Sequence, residues 1–232
     1  MSEAIDLVFL CAGRGNRVGL DLPKQFIDLG GKPVMVHALE VYDCVSFIGQ
    51  KIIVHDPVDA DRITGIIEEA GISNCVLTPG GATRQESVRR GLAGVTTPRV
   101  LTHNAAVPFL NEEMIARALA VDADCVSTAT EVKDSLVRVD GGDLLPIPRA
   151  GLRFVNSPQA FKTDALREAH NSALATGKIF TSDTELMLHF GKSVRLVSGP
   201  SWSFKITDRV DLALAETILA RPDLFPALTA CR

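Results

Sequence analysis

The sequence predicts an α/β fold in which helices cover a mostly parallel sheet. Short apolar runs at 7–10, 51–55, 100–103 and 125–129 alternate with longer stretches of helical pattern. This alternation is typical of βαβ units, whose crossovers are right-handed and whose strands run parallel. A chain of 232 residues is long enough for one substantial core, so we expect a single domain over residues 1–232.

The first predicted strand leads into a glycine-rich loop that carries two separated cations. Leu7–Leu10 is a short apolar run suited to a central parallel strand. Gly13 and Gly15 then allow the backbone to turn and to approach a ligand closely. Amide groups in such a loop face anions, and Arg17 and Lys24 add full positive charge. The stretch therefore predicts a cradle for a triphosphate.

Two common phosphate-binding motifs fit this loop poorly. A P-loop requires Gly-Lys-Ser/Thr, whereas Lys24 follows Pro23. A dinucleotide-binding fingerprint requires a third glycine where this chain has Val18. A glycine turn with solvated surface cations remains the alternative to a triphosphate site.

Five stretches after this loop have the pattern of helices. They are Pro33 to Val45, Asp59 to Glu69, Arg84 to Ala93, Glu112 to Ala120 and Thr163 to Ala175. Ligands of an open parallel sheet bind outside the carboxyl ends of its strands, so we expect the loops at 12–24, 79–84 and 104–108 to converge. Near the end of the chain, Ser203–Thr207 alternates like a short strand, from which Lys205 would project.

Residues 132–154 depart from the alternation of strands and helices. Lys133–Val139, a turn at Asp140–Asp143 and Leu144–Pro148 predict a hairpin, and its prolines keep it off a central sheet. We expect this arm to protrude. Considered alone, the pattern is compatible with a surface hairpin that has no partner.

Composition limits the classes of partner and compartment. The formal net charge of −4 argues against a general surface for nucleic acid or anionic membranes. The five cysteines show neither paired nor metal-ligand spacing, which favours a reducing compartment and argues against structural zinc. With no signal-peptide pattern and no transmembrane run, we expect a cytoplasmic protein without nucleic-acid or membrane partners.

Several motifs together resemble the 2-C-methyl-D-erythritol 4-phosphate cytidylyltransferase family of sugar-phosphate nucleotidyltransferases. In family order they are Cys11–Arg17 with Pro23–Gln25, Gly80–Leu92, His103–Pro108, Ser157–Phe161, Phe204–Thr207 and Asp211–Glu216. The resemblance covers almost the whole chain. It implies a Rossmann-like nucleotidyltransferase fold with a mostly parallel twisted sheet, one nucleotidyltransferase domain and a protruding β-arm used for dimerisation.

Nucleotidyl transfer requires in-line attack by a substrate phosphate on the α-phosphorus of a nucleotide. The protein therefore supplies mainly cations and positioning. The resemblance implies that Arg17 and Lys24 stabilise the transition state and that Lys205 contacts the acceptor phosphate and the α-phosphate region. Considered alone, Lys205 is equally compatible with a solvated strand lysine.

Nucleotide binding is expected at the first loop and at a second glycine turn. The resemblance implies contacts to the nucleotide from Cys11, Ala12, Gly13, Gly15, Gly80, Gly81, Ala82, Arg84, Ser87 and Asn104. Paired glycines permit close approach of the backbone to a flat base, and the Ser87 hydroxyl can donate or accept a hydrogen bond. The alternative is a plain turn with a helix cap.

The acceptor side of the site departs from the family pattern. The residues implied around the polyol are Ala105, Ser135, Arg149, Ser157 and Thr181. Of these, Arg149 is implied to reach across the dimer. The family's usual His-Asp-Ala-Ala-Arg-Pro reads here as His103–Pro108, with Asn104 and Val107 in place of a magnesium-binding carboxylate and an acceptor-binding guanidinium.

Magnesium, or another divalent cation, is the cofactor that the resemblance implies. Asn104 keeps an oxygen but no charge, so we expect it to be a weak metal ligand and the triphosphate to hold most of the ion. A second acidic position of the family is Trp202 here, for which Asp183 is one possible substitute.

We therefore expect a homodimeric enzyme of isoprenoid biosynthesis that transfers CMP from CTP to 2-C-methyl-D-erythritol 4-phosphate and releases pyrophosphate. The changed motif leaves two alternatives open. One is a cytidylyltransferase for another acceptor, such as a ribitol- or glycerol-type phosphate or a phosphonate. The other is a nucleotide-binding paralogue with weakened turnover.

Overall fold

The computed structural model describes residues 4–13 and 22–228. Within those ranges the strands are β1 (Ile5–Leu10), β2 (Ile48–His55), β3 (Cys75–Pro79), β4 (Arg99–Asn104), β5 (Cys125–Glu131), β6 (Leu136–Asp140), β7 (Asp143–Ile147), β8 (Arg153–Lys162) and β9 (Val194–Ser198). The helices are α1 (Val34–Cys44), α2 (Ala60–Glu69), α3 (Arg84–Leu92), α4 (Glu112–Leu119), α5 (Thr163–Thr176), α6 (Asp183–His189) and α7 (Arg209–Ala220). The five predicted helices are confirmed as α1 to α5. None of the helices in the described ranges is long and apolar enough to cross a membrane.

Seven of these strands form one sheet in the spatial order β3-β2-β1-β4-β8-β5-β9. β1 pairs in parallel with β2 and β4, β2 with β3, and β5 with β9. β8 runs antiparallel to both of its neighbours, β4 and β5. The predicted α/β fold with a mostly parallel sheet is therefore confirmed.

Helices cover both faces of the central strands. Leu7 and Phe9 of β1 pack in one buried cluster with apolar residues of α1 and α4. Val8 belongs to a second cluster with Val88 of α3 and Leu166 of α5. All five side chains are fully inaccessible to solvent. Because both sides of β1 are buried, its sequence is a continuous apolar run rather than an alternation.

Loops from four strands meet at the carboxyl edge of the sheet. The Gly80 amide, just after β3, donates to the His55 carbonyl at the end of β2 over 2.7 Å. The Ala105 amide, just after β4, donates to the Leu10 carbonyl at the end of β1 over 3.0 Å. The predicted convergence of the three loops is confirmed for the parts that the structure describes.

The arm is a two-stranded antiparallel hairpin of β6 and β7, separate from the main sheet. Gly141 and Gly142 form its turn with φ values of 56° and 102°, a left-handed region that favours glycine. Val139 and Leu144 are directly paired, so their side chains share one face, and both are largely exposed. The predicted protruding hairpin is confirmed, whereas its role in dimerisation stays a prediction.

The predicted strand at Ser203–Thr207 is wrong, because this segment is irregular. Its backbone is tied to the loop after β4 instead of to a neighbouring strand. The Ile206 amide donates to the Ala106 carbonyl over 2.8 Å, and the Ser203 hydroxyl donates to the Phe109 carbonyl over 2.6 Å. These bonds lay the segment across the carboxyl edge of the sheet.

Candidate active site

A cleft of about 560 Å³ lies at the carboxyl edge of the sheet. Its lining includes ten of the residues predicted to form the site: Ala12, Gly13, Lys24, Gly81, Ala82, Arg84, Ser87, Asn104, Ala105 and Lys205. The chain thus brings two of the three proposed catalytic cations to one cavity. The third, Arg17, and the loop residue Gly15 lie outside the described residues.

Other lining residues were not selected from the sequence. They are Leu10, Gln25, Asp56, Thr83 and Ala106. Gln25 stands in the Pro-Lys-Gln motif, which could have identified it. Asp56 follows β2 directly. Because ligands bind at the carboxyl ends of parallel strands, a carboxylate in this position could have been recognised as a candidate site residue.

Lys24 lines the cleft but is buried, with only 5% of its surface exposed. Its ammonium donates to the carbonyl of Ile206 over 3.3 Å, which joins the first loop to the segment that carries Lys205. The next residue, Gln25, donates its side-chain amide to the Cys11 carbonyl over 2.8 Å. These two hydrogen bonds fix the turn at Lys24–Phe26 to the segment that carries Lys205 and to the residue that follows β1.

The second glycine turn is held by the first turn of α3. The Gly81 amide donates to the Ser87 hydroxyl over 3.1 Å, and that hydroxyl donates to the Thr83 carbonyl over 2.9 Å. A Cβ at Gly80 would lie 2.7 Å from the Ala12 Cβ, too close for any larger residue. Two predicted nucleotide-binding residues, Gly80 and Cys11, support the cleft without lining it. Burial of the Cys11 thiol raises its pKa far above the usual range, so the thiol stays protonated near neutral pH.

Arg84 lies on the wall of the cleft, where its guanidinium is half-buried. Its Nη2 donates to Oδ2 of Asp183 over 2.7 Å. The other carboxylate oxygen, Oδ1, lies 3.3 Å from Nε2 of His170. Burial alone would raise the pKa of Asp183, but the charge of Arg84 and the neighbouring histidine hold it well below its usual range.

This pairing excludes Asp183 as the substitute metal ligand that the sequence suggested. The side chain is buried, and it does not line the cleft. Within the described ranges, no three His, Cys, Asp or Glu side chains are grouped to hold a metal ion. Among the described lining residues, Asp56 carries a carboxylate, and Asn104 adds a neutral amide oxygen at the position of the expected metal ligand. Because magnesium usually keeps several waters and binds through substrate phosphates, so sparse a donor set fits an ion carried by a triphosphate.

Asn104 and Val107, the two departures from the family motif, both lie at the loop after β4. Asn104 Oδ1 accepts from the Ala106 amide over 3.1 Å, so its oxygen already closes a turn. Val107 is buried and does not line the cleft. The Val107 side chain therefore does not reach a ligand in this cleft, and the effect of the missing guanidinium on acceptor binding stays a prediction.

The remaining acceptor residues are not gathered in this cleft. Ser157 touches the loop behind it, accepting from the Asn104 amide over 3.2 Å. Thr181 is exposed and donates its hydroxyl to Glu185 over 2.8 Å. Ser135 and Arg149 lie on the arm, where Arg149 donates to the carbonyl of Lys133. Only Ala105 of the five lines the cleft of its own chain. The five residues are therefore not gathered in the cleft of one chain, and the acceptor-binding roles implied for them stay predictions.

His103 supports the same loop from within the core. Its Nε2 donates to the Val107 carbonyl over 2.9 Å, and its Nδ1 accepts from the Tyr42 hydroxyl over 3.0 Å. The ring also stacks on Phe9. Burial lowers the pKa of His103 to about 4, so the side chain is neutral at physiological pH.

We predict that the free energy of unfolding falls as the pH falls from 6.5 to about 4. Across this window the unfolded chain binds a proton at His103 that the folded chain does not, which corresponds to about 3 kcal/mol. Urea denaturation at several pH values measures this loss. His103→Gln removes the titration, so its stability should depend less on pH there. An equally steep decline in the variant would contradict the assignment.

Comparison with known proteins identifies the family that the chain resembles. The family model described as IspD, 2-C-methyl-D-erythritol 4-phosphate cytidylyltransferase, matches residues 5–221. A protein of that name from Halalkalibacterium halodurans is 35% identical over 222 residues, which cover 94% of this chain and 97% of the relative. A bifunctional IspD/IspF enzyme from Sinorhizobium medicae is 34% identical over 227 residues, which cover 93% of this chain. The chain spans 56% of the length of that bifunctional relative.

The fold is also shared with solved structures. The crystal structure of 4-diphosphocytidyl-2C-methyl-D-erythritol synthase from Anaerococcus prevotii is similar with a TM-score of 0.83 at 27% identity, over 94% of this chain and 97% of that one. This similarity confirms the nucleotidyltransferase-like fold. The family model matches residues 5–221, which is most of the chain. The chain belongs to the 2-C-methyl-D-erythritol 4-phosphate cytidylyltransferase family.

Proposed function

We propose that this chain transfers CMP from CTP to 2-C-methyl-D-erythritol 4-phosphate and releases pyrophosphate. The observation that carries the proposal is that Lys24 and Lys205 line one cleft together with Gly81 and Ala82 of the glycine turn. Membership of a family of CTP-dependent cytidylyltransferases supports the nucleotide, and the names of the relatives support the acceptor.

Each part of CTP has a matching part of the cleft. The base would lie against the Gly81 turn, where the backbone can approach a flat ring closely. The triphosphate would extend toward Gly13 and the ammonium of Lys24, because buried positive charge favours a polyanion. Lys205 is exposed at the cleft and would meet the α-phosphate and the incoming acceptor phosphate.

The reaction needs no protein nucleophile. An oxygen of the acceptor phosphate attacks the α-phosphorus of CTP, a new phosphorus–oxygen bond forms, and the bond to the β-phosphate breaks as pyrophosphate leaves. The phosphate monoester is already largely dianionic near neutral pH, so no general base is required. Lys24 and Lys205 would stabilise the negative charge that builds up on the transferring group and the leaving pyrophosphate.

A divalent cation, for which we propose magnesium, would neutralise phosphate charge when bound with the nucleotide. Asp56 and Asn104 are the residues that could share in holding it at the cleft. Neither residue by itself makes a metal site, so the phosphate oxygens would provide most of the ligands.

We also propose that the enzyme is a homodimer that works in the cytoplasm. The arm presents exposed apolar side chains, including Val137, Val139 and Leu144, which a second subunit could cover. The described cysteines are all free, as expected in a reducing compartment. In such a dimer Ser135 and Arg149 of one arm would reach the partner's acceptor site.

A different acceptor is the second candidate. It is favoured by one observation, the buried Val107 at the position where the family has an acceptor-binding guanidinium. Loss of a bidentate contact weakens recognition of the anion or hydroxyls that used it. The candidates are then ribitol- or glycerol-type phosphates and phosphonates.

Pyrophosphate release tests these functions directly. The purified protein would be assayed with CTP, UTP or ATP, each with a panel of polyol phosphates that includes 2-C-methyl-D-erythritol 4-phosphate. Release with CTP and this acceptor at an ordinary kcat/KM, about 10⁴ M⁻¹s⁻¹ or above, supports the proposal. Faster release with another acceptor supports the second candidate. CTP binding without release from any acceptor would contradict both and indicate a paralogue without turnover.

We predict that Asn104→Asp lowers the magnesium concentration needed for half-maximal activity. The aspartate can still accept from the Ala106 amide with one oxygen, and it adds a charged oxygen for the cation. Titration of magnesium at fixed CTP measures the change. Asn111→Asp is the matched control, since Asn111 caps α4 outside the cleft and aspartate caps helices equally well. An unchanged magnesium requirement in Asn104→Asp would show that this position does not face the ion.

A further inference from the structure

Asp183 is a buried carboxylate whose position is set by helices that lie behind the cleft. It occupies the first turn of α6, where the Ser182 hydroxyl caps the helix by accepting from the Glu185 amide over 3.1 Å. Leu186 and Met187 of the same helix pack in a buried cluster with residues of α5. The carboxylate therefore has little freedom to move.

Among the described lining residues of the cleft, Arg84 is the one that forms a hydrogen bond with this carboxylate. As the first residue of α3, it carries positive charge at a helix N-terminus, which the helix dipole disfavours. The Asp183 carboxylate offsets this charge over 2.7 Å. Only one guanidinium nitrogen is used in that bond, which leaves other N–H groups for the cleft.

His170 closes the other side of the carboxylate. Its ring is 1% exposed, and its Nε2 lies 3.3 Å from Oδ1 of Asp183. Three helices, α3, α5 and α6, thus meet at one anion. Such an arrangement fixes the guanidinium before a ligand arrives, which lowers the entropic cost of binding.

We propose that Asp183 is a positioning residue for CTP: without touching the nucleotide, its carboxylate holds the Arg84 guanidinium at the wall of the cleft. The proposal rests on the proposed function only for the identity of the nucleotide. In the absence of this carboxylate, Arg84 would turn toward solvent, and the nucleotide would have to order it again on binding.

A double-mutant cycle on CTP affinity tests the proposal. The variants are Asp183→Asn, Arg84→Ala and the double variant, with the Kd for CTP measured by calorimetry. Asp183→Asn should weaken CTP binding about tenfold in the wild-type background and change it little in the Arg84→Ala background. In turnover assays KM for CTP should rise with kcat largely retained.

The control and a second variant exclude a purely structural role. Glu168 lies on α5, and its exposed carboxylate pairs with Lys192. The control Glu168→Gln removes this ion pair and should leave CTP affinity unchanged. If Asp183→Asn does not fold, Asp183→Glu keeps the charge and displaces the guanidinium by one methylene, so it should weaken binding as well. A lower melting temperature with unchanged CTP affinity would overturn the proposal, and so would an equal loss in the Arg84→Ala background.

Failure of the proposed function gives a different result. If the wild-type protein binds UTP or ATP more tightly than CTP, the assignment of CTP is wrong, and the same cycle with the preferred nucleotide still decides the role of Asp183. If the wild-type protein binds none of the three, both proposals are overturned.

Discussion

Replacing Lys24 with methionine is expected to lower kcat about 10²-fold or more while the protein stays folded. The ammonium is buried in the cleft, where the surroundings screen its charge much less than water would. Methionine keeps most of the side-chain volume, so the loss should fall on the transition state more than on packing. Pyrophosphate release at saturating CTP measures kcat, and thermal unfolding measures the stability of the same sample.

Lys32→Met is the matched control for this prediction. Lys32 pairs with Glu40 at the surface and does not line the cleft, so kcat should stay close to the wild-type value. Near-wild-type turnover in Lys24→Met would remove this lysine from the mechanism. A large drop in melting temperature in the Lys24 variant alone would assign its buried ammonium a structural role.

Deleting residues 134–146 is expected to give a monomer with turnover reduced by orders of magnitude. The deletion removes Ser135 and the apolar face of the arm, and it displaces Arg149 from the place where a partner would meet it. Glu131 and Arg153 remain paired in the sheet and can be joined by the shorter loop. Light scattering gives the oligomeric state, and pyrophosphate release gives the activity.

Point substitutions separate the loss of the interface from the loss of the arm. Val139→Asp with Leu144→Asp places two charges on the exposed apolar face of an otherwise complete hairpin and should also give a monomer. Val58→Asp, at an exposed apolar position of the turn before α2, serves as the control and should leave the assembly unchanged. A fully active monomer after the deletion would show that the site is complete within one chain.

The central strands could be predicted from the sequence because burial on both faces gives them continuous apolar runs. β3 and β9 lie at the two edges of the sheet, are only partly buried and lack such runs, so they were not predicted. β8 was missed for a related reason. Its first half continues from the arm and is exposed, and only its second half is buried.

The cleft could be predicted where glycines and cations mark a loop, as at Gly81 and Lys24. The pairing of Arg84 with Asp183 could not, because it depends on how α5 and α6 pack behind α3. The segment that carries Lys205 has the alternation of a strand, but its Ile206 amide bonds to the loop after β4 rather than to a sheet edge. Local pattern therefore identified the residues of the site more reliably than the contacts that hold them.

The reversed direction of β8 has a consequence for how the arm can change. β5 ends, and β8 begins, at the same edge of the sheet as the cleft, and Glu131 of β5 is paired there with Arg153 of β8. The hairpin is thus an insertion between two paired positions, and its length is independent of the core. Adding or removing one residue from each of β6 and β7 would reverse which face of the hairpin the residues beyond that point present to a neighbour. Adding or removing two residues from each strand would restore the original orientation. The reach of the arm can therefore be tuned in discrete steps while the sheet register stays intact.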